Sequence, residues 1–403
     1  MTIDGTWTLD RNVEWARVFA HMPDTGAHTQ QAHYVIKGVA GGDRNRYVNT
    51  RFGENTWVEL GVYRFTGTPR VELTNTTADG TADDDVAWDA VAFQPLSGKP
   101  KHMVVAMGDS YTSGEGAGSY SPESNRGHGK SSWNACRRSA NSWPRKVKLP
   151  GQTSSIGALS DGSSTAVDYL DVSCSGAHTW QMLTGDPNKW GSIGNYREKM
   201  QIDSGVLSDD TTLVMLTIGG NDGDNFTNAV LNCYVIAGCD PASYKGKVDQ
   251  AIVATGEVIN EIKDEASKAQ IVLMGYPRLI SETMCTAANA ALNELADYVR
   301  DKQKAKVEEL KKAGVKVEFA DAIPAFRGHG VCDADEWING IVAGPKGDGD
   351  FHDGDPANQA PCLPKPGENL CASLESFHPK NAGTTGYAGV MNQKLADIGY
   401  KGS

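Results

Sequence analysis

No run in the 403 residues approaches the roughly 20 consecutive apolar residues that a membrane-crossing helix needs. The longest apolar stretches, Leu213 to Ile218 and Ile271 to Met274, have the length of buried strands, so no bilayer span is expected. Blocks of Lys and Arg are also missing. Fifty acidic residues outweigh 38 basic ones for a net charge of -12, which disfavours a nucleic-acid partner. There is no C-x-x-C pair to suggest zinc, and no cysteine at all in the first 135 residues. Met1-Thr2-Ile3-Asp4-Gly5 offers neither a basic nor an apolar leader segment, so no signal peptide is expected within the sequence. Glycine (45) and proline (17) are too few for a collagen-like or disordered chain, and the length fits two ordered domains.

The eight cysteines are Cys136, Cys174, Cys233, Cys239, Cys285, Cys332, Cys362 and Cys371. An even number without zinc spacing reads as disulfides, and hence as secretion into an oxidising, extracellular compartment. Many pairings are open, of which the sequential one is the simplest.

Two rhythms divide the chain. In residues 1–97, Ala32 to Val39, Thr56 to Phe65, Arg70 to Leu73 and Val86 to Phe93 read as strands between Gly/Asp/Asn turns, with no helix, which predicts a smaller β-sandwich domain. Gln94 to Pro100 reads as a linker. In residues 98–403, the strand-like Met103 to Met107, Val167 to Val172, Thr212 to Ile218, Ile271 to Gly275 and Val315 to Ala320 alternate with helical segments. The amphipathic stretches Ser243 to Lys268 and Ala287 to Lys312 are the longest of these, and the alternation predicts α/β, a parallel sheet with helices on both faces. Gly328 to Glu375 loses periodicity, and loops of that length usually serve a site.

The chemistry gathers at strand ends. Met103 to Met107 runs into Gly108-Asp109-Ser110, which sets a serine at the carboxyl edge of a parallel sheet. Thr212 to Ile218 ends in Gly219-Gly220-Asn221-Asp222, placing an amide donor at the same edge for a developing oxyanion. Val172 is followed by Ser173-Cys174-Ser175-Gly176-Ala177, where a glycine N–H allows close approach. Near the end stands Glu375-Ser376-Phe377-His378-Pro379, a histidine whose backbone the following proline restrains. Asp109 and Asp222 read as structural acids bonded to loop backbone. Asp348, Asp350, Asp353 and Asp355 fail the EF-hand register, and His128, His329 and His352 read as solvent-facing, so neither metal nor other cofactor is expected.

These four motifs, GDSYTSGEG, CSGA, IGGND and ESFHP, in this order, resemble the SGNH or GDSL hydrolase family, in particular its secreted actinobacterial esterases and lipases. The resemblance covers roughly residues 100 to 400 and implies a flavodoxin-like three-layer α/β/α fold. It implies Ser110 as nucleophile, His378 as base, and an oxyanion hole of the Ser110 and Gly176 N–H groups and the Asn221 side chain. It also implies the sequential disulfides Cys136–Cys174, Cys233–Cys239, Cys285–Cys332 and Cys362–Cys371. One position departs: the residue three before the histidine is usually Asp and here is Glu375, so either its side chain or the backbone carbonyl at 375 is expected to hold the imidazole.

In residues 1–97, Trp15 to Phe19, Ala32 to Ile36, Trp57 to Gly61 and Trp88 to Phe93 look like a golvesin-type domain, which is similar to carbohydrate-binding sandwiches. Trp57 and Trp88, in alternating segments, are expected in its core. The leading expectation is a monomeric serine esterase for carboxylic esters, including esters carried on polysaccharide. A lipase or phospholipase, and a polysaccharide binder with an inactive hydrolase fold, are the alternatives. Residues 98–403 hold every group the chemistry needs, and activity is expected to rise through the ordinary histidine range, about 6 to 7.

Overall fold

The computed structural model describes residues 2–51, 53, 55–78, 85–126, 133–183, 193–224, 229, 240–283, 289–342 and 373–403. Its N-terminal region contains six strands: β1 (Asp4–Thr8), β2 (Trp15–Met22), β3 (Ala32–Val39), β4 (Arg44–Val48), β5 (Thr56–Thr74) and β6 (Val91–Leu96). Their pairings are antiparallel, in the order β4-β3-β5-β2-β6, with β1 against β5. Inward Ala16, Val18, Ala20 and Met22 alternate along β2 and pack on Ile36, Leu60, Val71 and Leu73.

Three expectations are corrected here. The segments Thr56 to Phe65 and Arg70 to Leu73 form one strand, because its first half pairs with β2 while its second half pairs with β1 and β3. Pro69 does not interrupt it, since the proline carbonyl still accepts from Leu9 N–H (3.0 Å). The last strand starts at Val91 instead of Val86 and runs through Leu96, so most of the expected linker is paired with β2, as in Ala16↔Pro95. Trp57 is 51% exposed and Trp88 38% exposed, not core. Val58, Leu60 and Val62 take the parity of β5 opposite to Trp57, and Trp88 precedes β6, lying over Gly5 and donating to the Leu73 carbonyl (2.9 Å).

The second region holds β7 (His102–Gly108), β8 (Val167–Asp171), β9 (Leu213–Thr217), β10 (Gln270–Met274) and β11 (Val317–Ala320), all parallel in the order β11-β10-β9-β7-β8. The short helices are α1 (Ser110–Ser113), α2 (Trp143–Lys146), α3 (Ile156–Asp161) and α4 (Thr179–Met182), and the long ones α5 (Ala242–Glu265), α6 (Asn289–Lys312) and α7 (Asn381–Asp397). Alternate residues of the buried strands feed two separate cores. Val104, Ala106 and Met215 meet Trp143 of α2 and Tyr387 of α7, whereas Val105, Met107 and Leu216 meet Val258 and Ile259 of α5 and Val307 of α6. The result is a three-layer α/β/α unit. The order places β7 between β8 and β9, so the chain turns outward in both directions from β7, a topology in which ligands bind at the carboxyl ends of the strands.

The two regions meet through polar groups of β2, β5 and the β4 segment. Buried Arg17 pairs with Glu59 (2.6 Å) and donates to the carbonyls of Ser164 (2.9 Å) and Val167 beside β8. Val62 N–H reaches Asp168 (3.3 Å), Arg46 reaches the Ser204 carbonyl (3.1 Å) and Asn49 the Glu123 carbonyl (2.9 Å). Burial, and then the neighbouring Asp168, push the Glu59 carboxyl up, while Arg17 opposes them. Arg17→Ala removes the guanidinium and leaves two carbonyls, the Glu59 carboxylate and the Gln94 side-chain oxygen without it. It should destabilise the folded chain by about 3 kcal/mol, read as a lower Tm by calorimetry; an unchanged melting profile would show that the seam contributes nothing.

Candidate active site

Ser110 is placed by backbone geometry. Gly108, at φ 111°, closes β7 where a Cβ would lie 2.0 Å from the Thr217 carbonyl of β9, so only glycine permits the two strand ends to come so close. Asp109 N–H donates to that carbonyl (3.0 Å), and the Asp109 side chain caps α1 by accepting from Tyr111 N–H (3.1 Å). Ser110 follows as the first residue of α1, almost buried.

His378 arrives from the other end of the chain. Phe377 holds a left-handed φ of 61°, uncommon for an aromatic residue, and its carbonyl accepts from the Tyr111 hydroxyl (2.8 Å). The imidazole Nε2 then lies 2.8 Å from Ser110 Oγ, and Nδ1 lies 3.1 Å from the Ser376 carbonyl. With Nδ1–H donating to that carbonyl, Nε2 is the acceptor for the serine hydroxyl. Burial pushes His378 down to about 4 against the opposing pull of the Ser376 and Leu374 carbonyls, and Arg137 adds to the lowering.

The expectation for Glu375 is corrected on both counts. Its carbonyl accepts the His378 main-chain N–H (3.1 Å), and the carbonyl on the imidazole is one residue further on. Its carboxylate turns away to Arg137 (3.2 Å) and the Tyr120 hydroxyl (2.9 Å). Arg137 also pairs with Glu115 (2.8 Å), both side chains fully buried, and its guanidinium lies 4.3 Å above the Tyr120 ring. Glu115 accepts from the Ser175 hydroxyl (2.8 Å) as well. The nucleophile loop, the segment before Gly176 and the turn that bears His378 therefore share one buried charge cluster. Sequence reasoning missed Arg137 and Glu115. The available signals were Glu115 within GDSYTSGEG and the position of Arg137 beside Cys136, whose disulfide with Cys174 forms as expected.

Gly176 adopts φ 82° and Gly219 φ 100°, both left-handed turns after β8 and β9. Asn221 donates its side-chain N–H to the Ala177 carbonyl (3.0 Å), joining these two loops. Asp222 accepts from the Thr179 hydroxyl (2.6 Å) and N–H (3.2 Å), the structural use expected of it. Asp109 accepts further from the Thr217 hydroxyl (2.6 Å) and from Tyr276, and burial raises it to about 7 despite these donors. His329 is half-buried, stacked on Trp337 with ring centroids 3.8 Å apart. Cys332 is disulfide-bonded. Cys233, Cys239, Cys285, Cys362, Cys371, the acidic run at 348–355, His128 and His352 lie outside the described residues. Among the described residues, no group of three or more His, Cys, Asp or Glu side chains is placed to hold a metal ion.

A serine hydroxyl on a buried imidazole, at the carboxyl edge of a parallel sheet and beside an Asn-bearing loop, is the arrangement of a serine ester hydrolase. The GDSL-like Lipase/Acylhydrolase family matches residues 104–385, most of the chain, and the protein belongs to that family of carboxylic ester hydrolases. It is similar to Lipase of Streptomyces rimosus, 29% identical over 248 residues (59% of this chain, 76% of that protein). It is also similar to Lipase 1 of Streptomyces coelicolor, 28% identical over 302 residues (72% and 85%). The crystal structure of the extracellular lipase of Streptomyces rimosus aligns with a TM-score of 0.49 at 24% identity, covering 72% of this chain and 99% of that one.

Two outcomes follow from the histidine and its neighbours. Glu375→Gln should keep ester turnover within about tenfold of wild type, since the carboxylate does not touch the ring, whereas His378→Ala should lose about a thousandfold or more; equal losses would place the carboxylate on the imidazole. Because the imidazole must be neutral to accept a proton, kcat/KM should fall as pH drops through about 4, below the ordinary histidine range. An acid limb at the usual 6.5 would show that the ring is more hydrated than the structure has it.

Proposed function

We propose that the protein is a secreted serine esterase that cleaves carboxylic esters through an acyl-enzyme on Ser110. The observation that carries this reading is the 2.8 Å contact between Ser110 Oγ and His378 Nε2. In this mechanism the serine hydroxyl passes its proton to Nε2 as Oγ bonds to the ester carbonyl carbon. The carbonyl oxygen becomes an oxyanion that takes hydrogen bonds from the N–H groups of Ser110 and Gly176 and from the Asn221 amide. The intermediate collapses as Nε2–H protonates the departing alcohol, and a water deprotonated by the same nitrogen releases the acid. The Ser376 carbonyl keeps Nδ1–H fixed throughout, holding the tautomer in which Nε2 takes the serine proton. The Cys136–Cys174 disulfide favours an oxidising, extracellular location.

Within this reading we favour lipid esters. An apolar cavity lies between α5 and α6, lined by Tyr111, Ile218, Val248, Ile252, Leu292 and Leu295, and Tyr111 adjoins the nucleophile. Such walls accept hydrocarbon and offer little to a sugar. For residues 1–97 we propose a unit docked on the hydrolase by the polar seam, with the half-exposed Trp57 as its candidate contact for polymer-borne substrate.

With p-nitrophenyl acetate, Ser110→Ala should abolish most turnover while leaving the melting profile unchanged. Asn221→Ala should raise the barrier by about 3 kcal/mol, the scale of one oxyanion donor. Full activity in a clean Ser110→Ala preparation would sink the mechanism. A p-nitrophenyl ester series that peaks at acetate, with acetylated polysaccharide as the best natural substrate, would remove the lipid reading and leave the mechanism intact.

A further inference from the structure

We infer that Tyr276 is a positioning residue for the oxyanion loop, its hydroxyl fixing Gly220, and so Asn221, against the nucleophile turn. The inference rests on the reading of Ser110 and Asn221 given above and adds a residue that no motif contains. Tyr276 lies two residues beyond the end of β10, and β9 stands between β10 and β7. Its side chain therefore crosses the loop that follows β9 to reach Asp109 at the end of β7. The hydroxyl uses both of its capacities there: it accepts from Gly220 N–H (3.0 Å) and donates to Asp109 Oδ2. The other carboxylate oxygen of Asp109 is taken by Thr217 (2.6 Å) and by Tyr111 N–H (3.1 Å), the residue directly after the nucleophile. One phenol thus ties the oxyanion loop to the cap of α1.

Two further observations show a fitted contact. A Cβ at Gly220 would lie 3.0 Å from both Cζ and the oxygen of Tyr276, so the second glycine of the Gly219-Gly220-Asn221 turn makes room for this ring. The rings of Tyr276 and Tyr111 meet edge to face, with centroids 5.1 Å apart and planes at 88°, which fixes the phenol on its other side. Asn221 is one residue beyond the anchored N–H, and its own amide holds the Ala177 carbonyl next to Gly176. Removing the hydroxyl leaves the Gly220 N–H without that partner and frees the peptide that carries the donor, with no group lost from the reacting atoms.

The test is a double-mutant cycle in the full-length chain with p-nitrophenyl acetate. Tyr276→Phe preserves the ring and should lower kcat about tenfold with KM little changed, the signature of an interaction felt only in the transition state. In an Asn221→Ala background the same substitution should cost almost nothing, because its effect passes through Asn221. A wild-type kcat in Tyr276→Phe overturns the inference, and so does the same fold loss with and without Asn221. Thermal unfolding of each variant is followed in parallel. If Tyr276→Phe does not fold, Gly220→Ala, which presses on the same loop while keeping the phenol, should show the same dependence on Asn221, and an independent loss there overturns the inference too. An active wild type with inactive Ser110→Ala alongside an unaffected Tyr276→Phe would sink this inference alone, whereas an active Ser110→Ala would sink the mechanism beneath it.

Discussion

The contact between the ends of β7 and β9 governs everything built above it. Gly108 lies against the Thr217 carbonyl where any side chain would collide. Its peptide is then gripped from a third direction by Gln201, which accepts the Gly108 N–H (2.7 Å) and donates to the Gly108 carbonyl (2.8 Å). Thr217 answers on its other edge, accepting Asp109 N–H at its carbonyl and sharing hydroxyl contacts with Thr112 (2.8 Å) and Asp109 (2.6 Å). With these groups saturated, Ser110 has little freedom of its own, and a nucleophile that is ordered before substrate arrives needs no rearrangement to react.

The histidine is held differently. Its Nδ1 meets the Ser376 carbonyl, so a carbonyl dipole stabilises the imidazolium formed during reaction, while burial disfavours that cation. The lowered basicity and the neutral orienting carbonyl suit one another: both favour a neutral ring held in one tautomer. The Glu375 carboxylate is used elsewhere, in the Glu115–Arg137–Glu375 cluster. That cluster gives three loops a common centre, with Arg137 itself in a left-handed backbone conformation at φ 51°.

Much of this was legible in the amino-acid order. Parallel strands buried on both faces are nearly unbroken apolar runs, so Met103 to Met107 and Ile271 to Gly275 stand out and differ from the observed strands by about a residue at each end. Ser110, Gly176, Asn221 and His378 fall at strand ends or in separate motifs, and the fold brings their loops to one edge of the sheet. The antiparallel region was harder to read. β2 alternates through Ala16, Val18 and Ala20, small residues that weaken the signal, and its outer face carries Arg17, a charge that looks exposed until the second region covers it. The partner of Glu375 was unreadable for a related reason. Arg137 precedes it by 238 positions, and only the closed tertiary structure makes them neighbours. Tyr276 was missed because its ring reads as ordinary core, while its function lies in one oxygen.

The seam between the two regions bears on how such enzymes are assembled. Arg17 recognises nothing about a side chain in its neighbour: it seeks the bare carbonyls of Ser164 and Val167, groups that every polypeptide carries. What makes the pairing particular is the path of the main chain as it enters β8, together with side chains that meet the first region: Asp168 facing Val62, Glu198 on Asn49 and Asn134 on Gln30. A foreign hydrolase grafted behind this module would inherit the fit only if its second strand began along the same path. The seam therefore reads both main-chain path and particular side chains, so the partner that residues 1–97 fit is set by Asp168, Glu198 and Asn134 as much as by backbone shape.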